Sequence, residues 1–155
     1  MVDCPSALIH MPTVKKNALV PFSAPAMFDL VAAVEEYPEF LPWCGGAEVQ
    51  QRSEAGMVAT IRIAYRGLSQ SFTTENHHER PNRIEMKLRD GPFSRLHGVW
   101  TFKALTDSAC RVDLEMDYEM RSGLIAQLLG PVFEQIAQTM VDAFVNRAEA
   151  LAASL

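Results

Sequence analysis

The stretch "ACRVDLEMDYEMRSGLIAQLLGPVFEQIAQTMVDAFVNRA", residues 109–148, changes its hydrophobic period midway, and that change decides the fold. Over 109–120 the period is two. Cys110, Val112, Leu114, Met116, Tyr118 and Met120 fall on one side, and Arg111, Asp113, Glu115, Asp117 and Glu119 on the other. Strict alternation with one charged side marks a strand of an antiparallel sheet whose outer face meets water. From Ser122 onward the apolar residues recur at three and four: Leu124, Leu128, Val132, Phe133, Ile136, Met140 and Phe144, flanked by Ala137, Val141 and Ala148. That spacing predicts an amphipathic helix of about five turns from Pro131, after a shorter helix ending near Gly130, because proline is best tolerated in a first helical turn.

Upstream, period two recurs. "RIEMKLRD" (83–90) sets Ile84, Met86 and Leu88 against Arg83, Glu85, Lys87 and Arg89. "MVATIRIAYRG" (57–67), "LSQSFTTENHHE" (68–79) and "FSRLHGVWTFKAL" (93–105) also read as strands, with a turn at Pro81–Asn82. "AEVQQRSE" (47–54) is a strand running to a turn near Gly56, and "TVKKNALV" (13–20) is the first strand. "SAPAMFDLVAAV" (23–34) is a helix of two to three turns, N-capped by Ser23 with Pro25 early in it. A sheet with one wet face and a single long helix bury their apolar surface when the sheet curls round the helix. The expected class is α+β: a curved antiparallel sheet of about six to seven strands gripping a long C-terminal helix, with two short helices after the first strand. Residues 12–155 form one domain, and 1–11 an N-terminal extension, with Met11 an alternative start.

The segment "EEYPEFLPWCGG" (35–46) fits no regular element. Pro38 and Pro42 forbid a long helix or a central strand, yet Tyr37, Phe40, Leu41 and Trp43 are residues that proteins bury.

Composition narrows the function. The chain has 155 residues and a net charge of −5. Residues 54–103 carry eight Lys/Arg and five Asp/Glu, so the middle of an acidic protein is basic. The N-terminus lacks the features of a secretion signal, and no apolar run reaches the ~18 residues of a membrane span. Cys4, Cys44 and Cys110 are odd in number and scattered, against a disulfide framework or zinc knuckle, which fits a reducing cytoplasm. His10 falls in the extension, the adjacent His77 and His78 point to opposite faces of a strand, and His97 has no evident nucleophile beside it. The expectation is no catalytic residue, no metal site and no cofactor.

The segments "YPEFLPWC", "GPFSRLHGVWTF" and "GPVFEQIAQTMVDAFVNRA", in that order, resemble the START-like helix-grip superfamily. More narrowly they resemble its polyketide-cyclase/dehydrase branch of coenzyme-Q-binding proteins and bacterial ribosome-association toxins, over about residues 12–151. The resemblance implies a cavity between sheet and C-terminal helix under the aromatic segment, with Pro38 and Pro42 shaping its lid. Tyr37, Phe40, Leu41, Trp43, Ile63 and Phe72 would line it, together with Met86, Trp100, Met116, Phe133, Ile136 and Met140. Flexible Met57, Met86, Met116, Met120 and Met140 suit variable apolar guests. The leading implication is a non-catalytic carrier or chaperone of ubiquinone or a similar isoprenoid lipid, supporting respiratory electron transport. Such a carrier would be cytoplasmic, or peripheral at the inner membrane with transient contact to its surface. A lipid burying ~400 Å² would gain roughly 10 kcal/mol gross, half or more of it offset by lost freedom. The alternative is a toxin-like regulator that binds a ribosomal subunit and blocks association, with Arg62, Arg66, Arg83, Lys87 and Arg89 facing the anionic partner. A cyclase-type enzyme is the third implication.

Overall fold

A computed structural model describes residues 13–154. The extension expected over 1–11, with Cys4 and His10, lies outside the described residues. Among the described residues there are seven strands: β1 (Thr13–Val20), β2 (Cys44–Ser53), β3 (Gly56–Tyr65), β4 (Leu68–Glu79), β5 (Arg83–Asp90), β6 (Phe93–Thr106) and β7 (Ala109–Met120). They form one antiparallel sheet in the order β1-β7-β6-β5-β4-β3-β2. Strands β2 to β7 make a meander, while β1 joins the free edge of β7, Val14 opposite Met116 and Val20 opposite Cys110. Between β1 and β2 the chain therefore crosses the full width of the sheet. It does so through helix α1 (Ala24–Ala32) and a 3-10 helix (Val34–Glu39).

The alternation of the sequence becomes the two faces of this sheet. Cys110, Val112, Leu114, Met116 and Tyr118 are all buried. Bulges at Val49/Gln51, Thr73/Thr74 and Phe93/Arg95 bend the strands and deepen the curve of the sheet. Ser23 caps α1 as expected, its hydroxyl accepting from the Ala26 N–H at 3.2 Å, and Ala24, Met27, Phe28 and Val31 form its buried stripe.

Three expectations are corrected. The C-terminal helix is continuous: α2 runs from Leu124 to Ala153, 30 residues, straight through Pro131. Leu129 and Phe133, on either side of the proline, are both buried. At about 1.5–3 kcal/mol for each buried side chain, their packing offsets the one missing N–H and holds the helix in line. The stripe also begins later than the spacing suggested. Leu124, Ile125 and Leu128 are 67%, 39% and 51% exposed, and burial starts at Leu129. Lastly, β2 starts at Cys44, so the glycine pair sits inside the strand, at a bulge between Cys44 and Gly46.

Replacing Pro131 by alanine should restore an intrahelical hydrogen bond and raise stability by about 1–3 kcal/mol. A urea midpoint that is unchanged or lower would show that the proline ring contributes packing the alanine cannot.

Candidate functional site

The segment that resists regular structure becomes a lid tied at several points. Within the 3-10 helix the Tyr37 hydroxyl donates to the Val31 carbonyl at 2.5 Å, satisfying a group the end of α1 leaves open. Burial pushes the Tyr37 phenol well above its ordinary value. The Leu41 N–H returns to the Tyr37 carbonyl at 2.9 Å, and the Ala64 N–H donates to the Trp43 carbonyl at 2.8 Å, fastening the turn to β3. Ion pairs complete the attachment. Arg147 of α2 reaches Glu39 at 3.4 Å and Glu36 at 3.8 Å while lying 5.0 Å from the Phe40 ring. Arg52 of β2 grips Glu35, and the hydrogen bond from its guanidinium holds the Glu35 carboxyl below the usual carboxylate range.

Beneath this lid, between sheet and α2, lies an enclosed cavity. Of the residues expected to line it, Tyr37, Trp43, Phe72, Met86, Trp100, Met116, Phe133, Ile136 and Met140 are brought together around it. Leu41 and Ile63 are not: they are buried in the core and do not line it. Phe40 instead stands edge-on to Tyr37 and Phe144, under Arg147. The cavity measures about 50 Å³, where a site for a small organic ligand occupies ~300–1,000 Å³. It is closed from within. The Met86 methyl reaches so close to Gly98 that a Cβ there would sit 2.6 Å from it, and the Met116 methyl lies 3.6 Å from the same point. Phe133 fills the centre, 4.8 Å from both the Phe93 and Tyr118 rings.

The inward side of β4 continues beyond Phe72 as a polar row. Thr74, Asn76 and His78 share the parity of Phe72 and point inward from β4; the Thr74 hydroxyl donates to Asn76 Oδ1 at 2.8 Å. Extending the alternation through "TTENHHE" would have found them. His78 Nε2 is sealed from solvent without a hydrogen-bond partner. Burial first, then Arg52 and His77, hold the His78 pKa below its ordinary value.

The outer face does not form the expected basic patch. Arg83 pairs with Glu79 and Glu85, and Arg89 with Glu75. Arg62 donates to the Gly45 carbonyl, Arg66 lies 5.1 Å from the Tyr65 ring, and Lys87 stands in the field of Glu85. Strand β7, with Asp113, Glu115, Asp117 and Glu119, shares this face, and its register sets Glu119 opposite Arg95 and Asp117 opposite His97. The two charged stretches are adjacent in space and largely compensate. His97 Nε2 lies 2.7 Å from Glu85 Oε2. Among the described residues no group of three or more His, Cys, Asp and Glu is placed to hold a metal ion, and no helix is long and apolar enough to cross a membrane.

A curved antiparallel sheet wrapped round a C-terminal helix, with a lidded interior of aromatics and methionines, defines a START-like helix-grip protein. Solved structures agree. A START superfamily protein from Mycobacterium smegmatis superposes with a TM-score of 0.74 at 19% identity, covering 90% of this chain and 98% of that one. The Zhui aromatase/cyclase from Streptomyces sp. R1128 gives 0.77 at 18% identity, over 90% and 94%. Residues 20–145 match the family of polyketide cyclase/dehydrase and lipid transport proteins, and this chain belongs to that family. Among relatives, the ribosome association toxin RatA of Pseudomonas aeruginosa is 48% identical, over 89% of this chain and 96% of that protein. The mitochondrial coenzyme Q-binding protein COQ10 of Drosophila melanogaster is 27% identical, over 84% of this chain and 56% of that protein.

Two outcomes follow from this geometry. Met116→Ala should destabilise the fold by about 2–5 kcal/mol and enlarge the cavity enough to admit xenon or benzene; a variant that loses stability yet takes up neither has collapsed around the vacancy. For His78 the folded state binds the proton less readily than the unfolded chain, so stability falls as pH drops through the ordinary histidine range. Urea titrations from about pH 8 to about pH 5 should show this slope in the wild type and a shallower one in His78→Gln. Equal slopes would assign the pH dependence to other groups.

Proposed function

We propose that this protein is a non-catalytic, ribosome-directed regulator, acting in the cytoplasm by binding a ribosomal subunit and opposing subunit association. One observation carries the reading: the 48% identity to a ribosome association toxin extends over nearly the full length of both chains, so the whole domain, not a shared fragment, is similar. The geometry is compatible with it. An interior of about 50 Å³ leaves the exterior as the surface offered to a partner.

A quinone-like lipid ligand is the second reading, favoured by the similarity to the coenzyme Q-binding protein. It requires the lid to open and Met86, Met116 and Met140 to withdraw, because the closed interior lacks room for an isoprenoid tail. The methionines' flexibility supports such movement, and the ion pairs of Glu35, Glu36 and Glu39 oppose it.

Overexpression in a bacterial host followed by sucrose-gradient sedimentation tests the first reading. Joined ribosomes should decline, free subunits should rise, and the protein should sediment with one of them. An unaltered profile, with the protein left at the top of the gradient, would overturn it. Organic extraction of the purified protein that recovered stoichiometric quinone would favour the second.

A further inference from the structure

An open cleft of about 390 Å³ lies between α1, the 3-10 helix and the ends of β2 and β4, and shares no lining residue with the enclosed cavity. Its apolar floor includes Phe28 and Met57, both buried. His78 stands in its wall, edge-on to Phe28 with ring centroids 5.5 Å apart. The unpartnered His78 Nε2, sealed behind that wall as the ring stands, is the kind of group that costs about 1–3 kcal/mol when left unsatisfied, and a ligand that meets it on a turn of the ring recovers that cost.

Two guanidiniums complete the cleft, each held by parallel hydrogen bonds to a carboxylate. Arg80 donates to Asp29 at 2.9 and 2.8 Å, and Arg52 to Glu35 at 2.7 and 2.9 Å. Such forks fix the plane of the guanidinium and cancel its charge. Glu54 adds a further carboxylate to the lining. A phosphate therefore finds no net positive charge here. What the cleft offers is flat guanidinium faces, an apolar floor and one buried imidazole nitrogen, which together suit a planar, uncharged ring with hydrogen-bonding edges. Its volume falls within the ~300–1,000 Å³ of small-ligand sites.

We propose that this cleft receives an unstacked nucleobase of RNA, its ring against the Arg80 guanidinium and its edge hydrogen-bonded to His78 once that imidazole turns toward the cleft. Single-stranded RNA is commonly read in this way, bases being stacked on arginine planes and bonded along their edges. The inference rests on the ribosome-directed reading and deepens it by naming the contact. It also accounts for how a chain of net charge −5, with Arg83 and Arg89 of its outer face already paired, meets RNA without a phosphate-binding stripe.

The test titrates the full chain into a short single-stranded RNA carrying one 2-aminopurine and follows the fluorescence of that base. Wild-type protein should quench it. His78→Ala and Arg80→Lys should each bind roughly tenfold more weakly, the lysine keeping the charge but losing the plane. Raising salt from about 50 to about 200 mM should weaken the wild type by less than about tenfold, whereas a clamp on many phosphates loses about a thousandfold or more. Absent quenching, equal binding by both variants, or a steep salt dependence overturns the proposal. Thermal melts accompany each variant, and should His78→Ala fail to fold, the exposed Arg80→Lys decides alone. Ribosome profiles separate this inference from its premise. Variants that dissociate ribosomes as well as the wild type remove the cleft and keep the reading. A wild type that leaves ribosomes joined, yet binds the RNA through His78 and Arg80, removes the reading and keeps the cleft.

Discussion

Phe133 and Phe144 lie on the same face of α2, and between them they tie every layer of the domain together. Phe133 meets Phe93 of β6 and Tyr118 of β7 at 4.8 Å, which seats the helix in the concave sheet. Phe144 meets Trp100 at 5.4 Å, and Tyr37 and Phe40 of the lid at 5.3 and 5.2 Å. Such edge-to-face pairs contribute about 0.5–1.5 kcal/mol each beyond the area they bury. The helix cannot leave the sheet without losing the lid, and the lid cannot close without the helix. Packing of the interior, lid position and cavity size all descend from this contact.

A sheet bent enough to hold a straight helix leaves space wherever the two diverge. An unfilled void costs on the order of 24 cal/mol per Å³, so several hundred Å³ would consume much of the 5–15 kcal/mol by which a domain is stable. Here Met86 and Met116 extend into that space over the bare Gly98, and Met140 meets them from the helix. Unbranched methionines can withdraw again at modest cost. The same residues thus reduce the interior space to about 50 Å³.

On that surface, pairing matters more than net charge. The basic bias of residues 54–103 and the acidic side of β7 share one face of the sheet. Arg83, Arg89 and His97 each have a carboxylate within 4 Å. Exposed pairs of this kind are worth little to stability, but they remove the long-range attraction that unpaired cations exert on a polyanion.

Much of the fold was legible in the sequence. The period of two located β3 to β7 and the buried side of β5 and β7, the Ser23–Pro25 signature located the start of α1, and the change of period located the closing helix. These signals are local: they follow from the geometry of strand and helix backbones and survive without knowledge of any partner. The prolines of 35–46 likewise told that the segment is irregular. Only the tertiary structure decided that α2 continues through Pro131, that Leu124 and Leu128 stay exposed, that the hollow shrinks to about 50 Å³, and that Arg80 meets Asp29 beside an unpartnered His78. Each of these depends on groups that only pairing or packing of separate elements brings together, such as Met86 opposite Gly98 across two strands or Arg147 with Glu39.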